Sequence, residues 1–254
     1  MATVIAVTNQ KGGVGKTTTA VNLAYYLARL GKKTLLIDFD PQGNTTSGFG
    51  ANKSEMTLTV SDVLLGKASL MEVVIETPYK NLFLTPAVST LANTEAELNQ
   101  AERRFGRLRR AVTDMEAEFD FVLIDCPPSL SLLTVNALIA SDYVILPVQT
   151  EFYALEGLSQ LLETMKIIRG GMNPDLQLLG VLPTMVDSRT ALSGQVLLEI
   201  KRFFKNRVFE SVIPRNVRLA EAPSHGVPIG EYDRFSKGAR AYKALAKEVI
   251  KRVG

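Results

Sequence analysis

Residues 9–20 read NQKGGVGKTTTA, and the residue types and their spacing describe a site for a polyphosphate. Gly12, Gly13 and Gly15, with Val14 between them, let successive backbone N–H groups turn toward an anion, and a helix starting here adds the partial positive charge of its amino end. Lys16 stands where a phosphate-loop lysine reaches the β- and γ-phosphates, and Thr17 offers its hydroxyl to Mg2+. The run departs from the general form G-x-x-x-x-G-K-[ST] at its first position, where Gln10 replaces glycine and Lys11 follows. From the residues alone, Lys11 is either a solvated loop lysine or a second cation for a triphosphate.

Two carboxylate sites belong with this loop. LLIDFDPQG (35–43) ends an apolar run at Asp38 and sets Asp40 just beyond, and FVLIDCPPS (121–129) ends another at Asp125. An aspartate following an apolar strand is how a phosphate-loop enzyme holds the Mg2+ shell, so Asp125 is a metal candidate acting through water.

Positioning these groups requires strands that end together. Short β-branched apolar runs occur at 3–8, 33–38, 81–86, 121–125, 143–148, 176–182 and 210–214, and most are apolar on both faces. Helical patterns lie between them at 16–30, 90–118, 131–140, 154–169, 190–206 and 236–253. This alternation predicts an α/β fold, a doubly wound, mostly parallel sheet with helices on both faces and ligands at the carboxyl ends of its strands. Residues 41–57, rich in Gly, Asn, Ser and Thr, follow a strand and read as a switch that orders around a nucleotide.

The chain has 254 residues, 46% of them hydrophobic, which suits one domain over 1–254 with one large core. A formal charge of +3 decides nothing about nucleic acid by itself. One cysteine, Cys126, excludes an intrachain disulfide framework, a multi-cysteine zinc site and a C-x-x-C cluster scaffold, and suits a reducing compartment. With no signal-like amino terminus and no run of about 20 apolar residues, a cytoplasmic protein is expected.

The segments KGGVGKTT, DFDPQGN, DCPPSL and PVQTEFYALEGL resemble the deviant Walker A phosphate-loop NTPases of the ParA/MinD group. VIPRNVRLAEAPSHGVPIGEYDRFSKGARAYKALAKEV narrows the resemblance to chromosomal ParA (Soj-like) DNA-segregation ATPases. It covers nearly the whole chain and is weakest around 52–118. The resemblance implies that Lys11 crosses a dimer interface to the partner's ATP, that Asp40 positions the attacking water with Gln42 and Asn44 in the same loop, and that Thr18 touches the α-phosphate. Asp125 would lie in a second switch near Mg2+, with Pro127 and Pro128 stiffening the chain beyond it. Met185, Pro214, Arg215 and Asn216, on late loops, are candidates for the base. The family's mode of action implies slow hydrolysis, a homodimer formed with ATP, nucleoid association, and a ParB-type centromere-binding partner. A nonspecific double-stranded DNA surface would be led by Arg189 and Arg218, with Lys201 and Arg202 beside them.

Other residues carry plainer readings. His225 reads as loop packing, Cys126 as a small buried hydrophobe, and Tyr25 and Tyr26 as helix packing. ERRFGRLRR (102–110) reads as the solvated face of a helix. A MinD-like membrane-surface ATPase is the alternative. The terminal pattern Tyr242, Leu245, Ala246, Val249, Ile250 and Val253 reads more simply as a core-facing helix than as a membrane anchor, so no membrane partner is expected. A small-molecule ligase is a further alternative, against which the PRNVRLAEAPSHG match speaks.

Overall fold

A computed structural model describes residues 1–151 and 158–254. The strands are β1 (Thr3–Val7), β2 (Thr34–Asp38), β3 (Ile75–Glu76), β4 (Leu82–Thr85), β5 (Phe121–Asp125), β6 (Tyr143–Gln149) and β7 (Gln177–Thr184). They form one sheet in the order β3-β4-β2-β5-β1-β6-β7, parallel except for β3. The helices are α1 (Lys16–Arg29), α2 (Asn44–Gly48), α3 (Val60–Leu65), α4 (Leu70–Val73), α5 (Thr90–Asn99), α6 (Arg107–Thr113), α7 (Leu132–Ala140), α8 (Leu158–Arg169), α9 (Ala191–Phe204), α10 (Val217–Glu221), α11 (Ile229–Tyr232) and α12 (Lys237–Val253).

Alternate residues of each strand serve opposite faces, which is why runs apolar at every position are needed. Val4, Ala6, Leu35, Ile37, Val122, Ile124, Val144 and Leu146 bury against one helical layer that includes α3 and α5 to α9. Ile5, Val7, Leu36, Leu123 and Ile145 bury against α1 and α10 to α12. The terminal helix gives Tyr242, Leu245, Ala246 and Val249 to that second layer, as its 3–4 spacing predicts.

Two expectations change. The helix expected over 90–118 is two helices and a 3-10 turn (Glu116–Glu118), broken where Gly106 takes a left-handed φ of 73°. The strand expected at 210–214 does not form. Glu210 and Ser211 direct their backbone N–H groups to the Glu248 carboxylate, each at 2.9 Å, and Pro214 keeps only an isolated bridge to Val186. The irregular segment 41–57 contains α2, an ordered turn of helix. The first residues of the helix expected over 154–169 lie outside the described residues, as does 152–157 of PVQTEFYALEGL.

Candidate active site

β1 lies between β5 and β6, so the loop leaving its carboxyl end opens beside the ends of β5 and, one strand further, β2. The loop is anchored at both ends. Asn9 donates from Nδ2 to the Pro147 carbonyl at 2.8 Å and accepts from the Lys11 N–H at 3.0 Å. Thr184 Oγ1 donates to the Val14 carbonyl at 2.8 Å, tying the loop to β7. Gly13 and Gly15 take φ of 74° and 88°, a conformation that side chains resist, and this lets the loop reverse into α1.

The two loop lysines diverge. Lys16 is 7% exposed and donates from Nζ to the Lys11 carbonyl at 2.9 Å, folding its ammonium into the loop. Burial pulls its pKa below the usual lysine range, with the charges of Asp125 and Asp40 opposing. Lys11 sends its ammonium out of the loop, to within 3.6 Å of Glu151 Oε2, with 41% of the side chain exposed.

Behind the loop stand two buried carboxylates. Asp38 and Asp125 are directly opposed at the carboxyl ends of β2 and β5, and both are fully buried. Burial, followed by the charge of Asp125, raises the Asp38 pKa to about 7 against the hydrogen bonds that Thr46 donates from N and Oγ1, each at 2.7 Å. Thr46 Oγ1 also accepts from the Ala87 N–H at 3.0 Å, so one hydroxyl joins α2 to Asp38 and to the segment after β4. Burial raises Asp125 to about 6, opposed by the Thr45 hydroxyl, which donates to Oδ2 at 2.7 Å, and by that of Thr17. Its other oxygen, Oδ1, is buried without a partner among the described residues.

An ionised carboxylate with an unpartnered oxygen beside the Thr17 hydroxyl fits a hydrated divalent cation, whose water would supply the missing donor. Asp40, just beyond β2, accepts from the Gln42 N–H at 2.9 Å and is itself buried. Asn44 begins α2. Thr45, Thr46, Thr184 and Asn9 escaped the sequence reading, because hydroxyls and amides that hold a loop in place carry no spacing signal.

A cavity of about 400 Å3 adjoins the loop, walled by Gly15, Thr18, Met185, Pro214, Arg215 and Asn216. Backbone bonds from Val186 N to the Ile213 carbonyl (3.0 Å) and from Arg215 N to the Val186 carbonyl (3.1 Å) bring the two late segments together. Met185 adopts φ of 51°, unusual for a side-chain-bearing residue, as the chain turns off β7. Asn216 Oδ1 is buried and has no partner among the described residues, an acceptor fit for an exocyclic amine such as that of adenine.

Arg189 and Arg218 are exposed and already paired. Arg189 grips Asp187 with two bonds, Nε to Oδ1 at 2.9 Å and NH2 to Oδ2 at 2.7 Å, which holds that carboxyl far below the usual range. Arg218 bonds Glu221 at 2.9 Å and lies 3.8 Å from Asp233. Lys201 and Arg202 are exposed on α9, whose other side buries Val196, Ile200 and Phe204. Among the described residues, no helix is long and apolar enough to cross a membrane.

A parallel sheet with a glycine loop, a buried lysine and two carboxylates at its strand ends defines a phosphate-loop nucleotide enzyme. A family model described as AAA domain matches residues 2–178. The chain is 53% identical to the sporulation initiation inhibitor protein Soj of Bacillus subtilis over 98% of both chains. It is 48% identical to the chromosome-partitioning ATPase Soj of Treponema pallidum over 100% of this chain and 99% of that one. Among solved structures it resembles cobyrinic acid a,c-diamide synthase of Mycobacterium smegmatis with bound ATP analog and magnesium. That match has a TM-score of 0.90 and 39% identity, covering 100% of this chain and 96% of the other. It also resembles the septum site-determining protein MinD of Pyrococcus horikoshii complexed with Mg-ADP, with a TM-score of 0.81 and 27% identity over 100% and 98% of the two chains. The chain belongs to the Soj/ParA family of chromosome-partitioning ATPases. It is an ATPase, and its cofactors are ATP and Mg2+.

Proposed function

We propose that this partition ATPase, acting as a single domain over 1–254, dimerises around two ATP molecules, binds double-stranded DNA without sequence preference in that state, and is reset by hydrolysis. The observation that carries the reading is the divergence of the two loop lysines. Lys16 folds inward and serves its own site, while the Lys11 ammonium faces outward, 3.6 Å from the exposed carboxylate of Glu151. A cation so placed suits the triphosphate of a facing subunit.

In this reading Gly12, Gly13, Val14, Gly15 and Lys16 hold the phosphates and Thr18 the α-phosphate, while Met185, Pro214, Arg215 and Asn216 hold the base. Thr17 and the unpartnered oxygen of Asp125 take Mg2+ and its water, and Asp40 orients the attacking water. Bound Mg2+ supplies neutralisation of phosphate charge. Thr45 and Thr46, held by Asp125 and Asp38, link α2 to whatever those carboxylates sense. Arg189, Arg218, Lys201 and Arg202 form the DNA surface, and the protein works in the cytoplasm on the nucleoid. A ParB-type partner completes the site and speeds turnover. Sedimentation with ATP, ADP or no nucleotide, with and without random duplex, tests this: a dimer dependent on ATP, and a DNA complex dependent on the dimer, are expected. A monomer under all conditions overturns it.

The likeness to MinD supports a second reading, a membrane-surface ATPase. The apolar face of α12 is buried in the core and unavailable to lipid, which favours DNA. Co-sedimentation with anionic liposomes separates the two. Amide ligation draws support from the synthase likeness, and ATP turnover that requires a carboxylic acid and an amine donor rather than DNA would establish it.

A further inference from the structure

ERRFGRLRR (102–110) has no part in the nucleotide or DNA assignments. With the helix broken at Gly106, the run wraps the rim of a cavity of about 600 Å3 between α3–α4 and α6. The cavity is separate from the nucleotide site. Met115 in its wall adjoins Glu116, whose carbonyl accepts from the Ala2 N–H at 3.1 Å, so it lies near the amino ends of β1 and β5. The phosphate loop leaves their carboxyl ends.

The floor is apolar: Leu70 and Met115 are buried, and Met71 and Phe105 stand at the edge 50% and 46% exposed. Arg103, Arg107 and Arg110 line the same cavity against one carboxylate, Asp114. Arg107 has a structural task, donating from Nε to the Arg103 carbonyl at 2.9 Å and from NH1 to the Leu64 carbonyl at 3.1 Å, which fastens α6 to α3. Arg103 and Arg110 are exposed, and neither makes an ion pair among the described residues. Arg189 and Arg218, by contrast, are both paired. Among the described residues, two guanidinium groups thus stand without an ion pair over a concave apolar floor.

We propose that this cavity is a docking site for an acidic segment of a partner protein bearing an apolar anchor residue. Charge complementarity selects the occupant: Arg103 and Arg110 take carboxylates in planar, two-point contacts, and Met71 and Phe105 close on the apolar side chain. A nucleic-acid backbone could use the arginines and would leave the floor unfilled.

A fluorescein-labelled peptide of aspartates and glutamates around one central leucine, titrated against the full chain by anisotropy, tests the assignment. Saturable binding that weakens with salt is expected. It should fall about tenfold in Arg103→Ala/Arg110→Ala, and severalfold when the peptide leucine becomes serine, with ATP turnover unchanged. Absence of saturable binding up to about 1 mM peptide overturns the proposal. So does equal binding by wild type and the double variant, or a double variant that loses affinity for random duplex or anionic vesicles and not for the peptide. Because the readout needs neither ATP nor DNA, failure of the dimer or DNA reading leaves this result interpretable.

Discussion

Replacing Asp38 by asparagine should change the pH dependence of stability in a direction fixed by burial. In the unfolded chain this carboxyl titrates near 3.8, and burial in the fold raises it to about 7. Between those values the unfolded chain has released a proton that the folded chain retains, so stability falls as pH rises through the window and levels off above it. Each unit costs about 1.4 kcal/mol, so the full penalty is about 4 kcal/mol, a large share of a typical domain's stability. Asparagine has no proton to lose, and its oxygen can still accept from the Thr46 N–H. Urea unfolding of both proteins at pH 5.0 and 7.5, without nucleotide or Mg2+, should show Asp38→Asn gaining about 3 kcal/mol on wild type between the two conditions. Asp125, raised to about 6, adds to the same trend in both proteins and largely drops out of the difference. A difference constant to within about 0.5 kcal/mol would mean that Asp38 ionises normally in the fold, and the electrostatic account of the strand ends would fail.

Lys16→Ala should abolish ATP binding measured with a fluorescent analogue, whereas Lys11→Ala should retain it and lose ATP-dependent dimerisation; equal losses would refute separate roles. Asp40→Ala should bind Mg-ATP, hydrolyse it at least 10²-fold more slowly and accumulate as dimer on a sizing column. Arg189→Ala and Arg218→Ala should weaken the ATP-dependent shift of random duplex severalfold each while leaving dimerisation intact. Gly180→Ala should cost about 2 kcal/mol by thermal melting. Its Cβ would lie 2.7 Å from Phe209 Cε2 and 2.9 Å from the Arg207 carbonyl, in the packed heart of the β7 layer.

The fold was legible because a parallel sheet covered on both sides demands runs apolar at every position, and 4–7, 35–37 and 121–124 have that character. The geometry of the phosphate loop was legible for a related reason: glycines, a lysine and a hydroxyl must be consecutive to act on one anion. What escaped was held by distant partners. ESVIP looks like a strand until Glu248, far along the chain, claims its N–H groups. The long charged stretch near 90–118 has helical composition throughout, and only the left-handed turn at Gly106 divides it. Asp38 looked like a companion of Asp40, yet it faces Asp125 and α2 from inside the protein. Nothing local distinguishes an aspartate aimed at solvent from one aimed inward.

The fork between Arg189 and Asp187 has a consequence for timing. If Arg189 meets a DNA phosphate, that phosphate does not fill an empty hand; it takes the place of a carboxylate anchored two residues away. The displaced carboxylate stays at high local concentration and competes for the arginine throughout the encounter. Arg218 is held less firmly, by one bond to Glu221, three residues away. Contacts built as exchanges rather than captures shorten the dwell time on any one stretch of polyanion. If the DNA surface acts as proposed, this built-in competitor favours release, and loosening the fork by Asp187→Asn should lengthen the stay on random duplex.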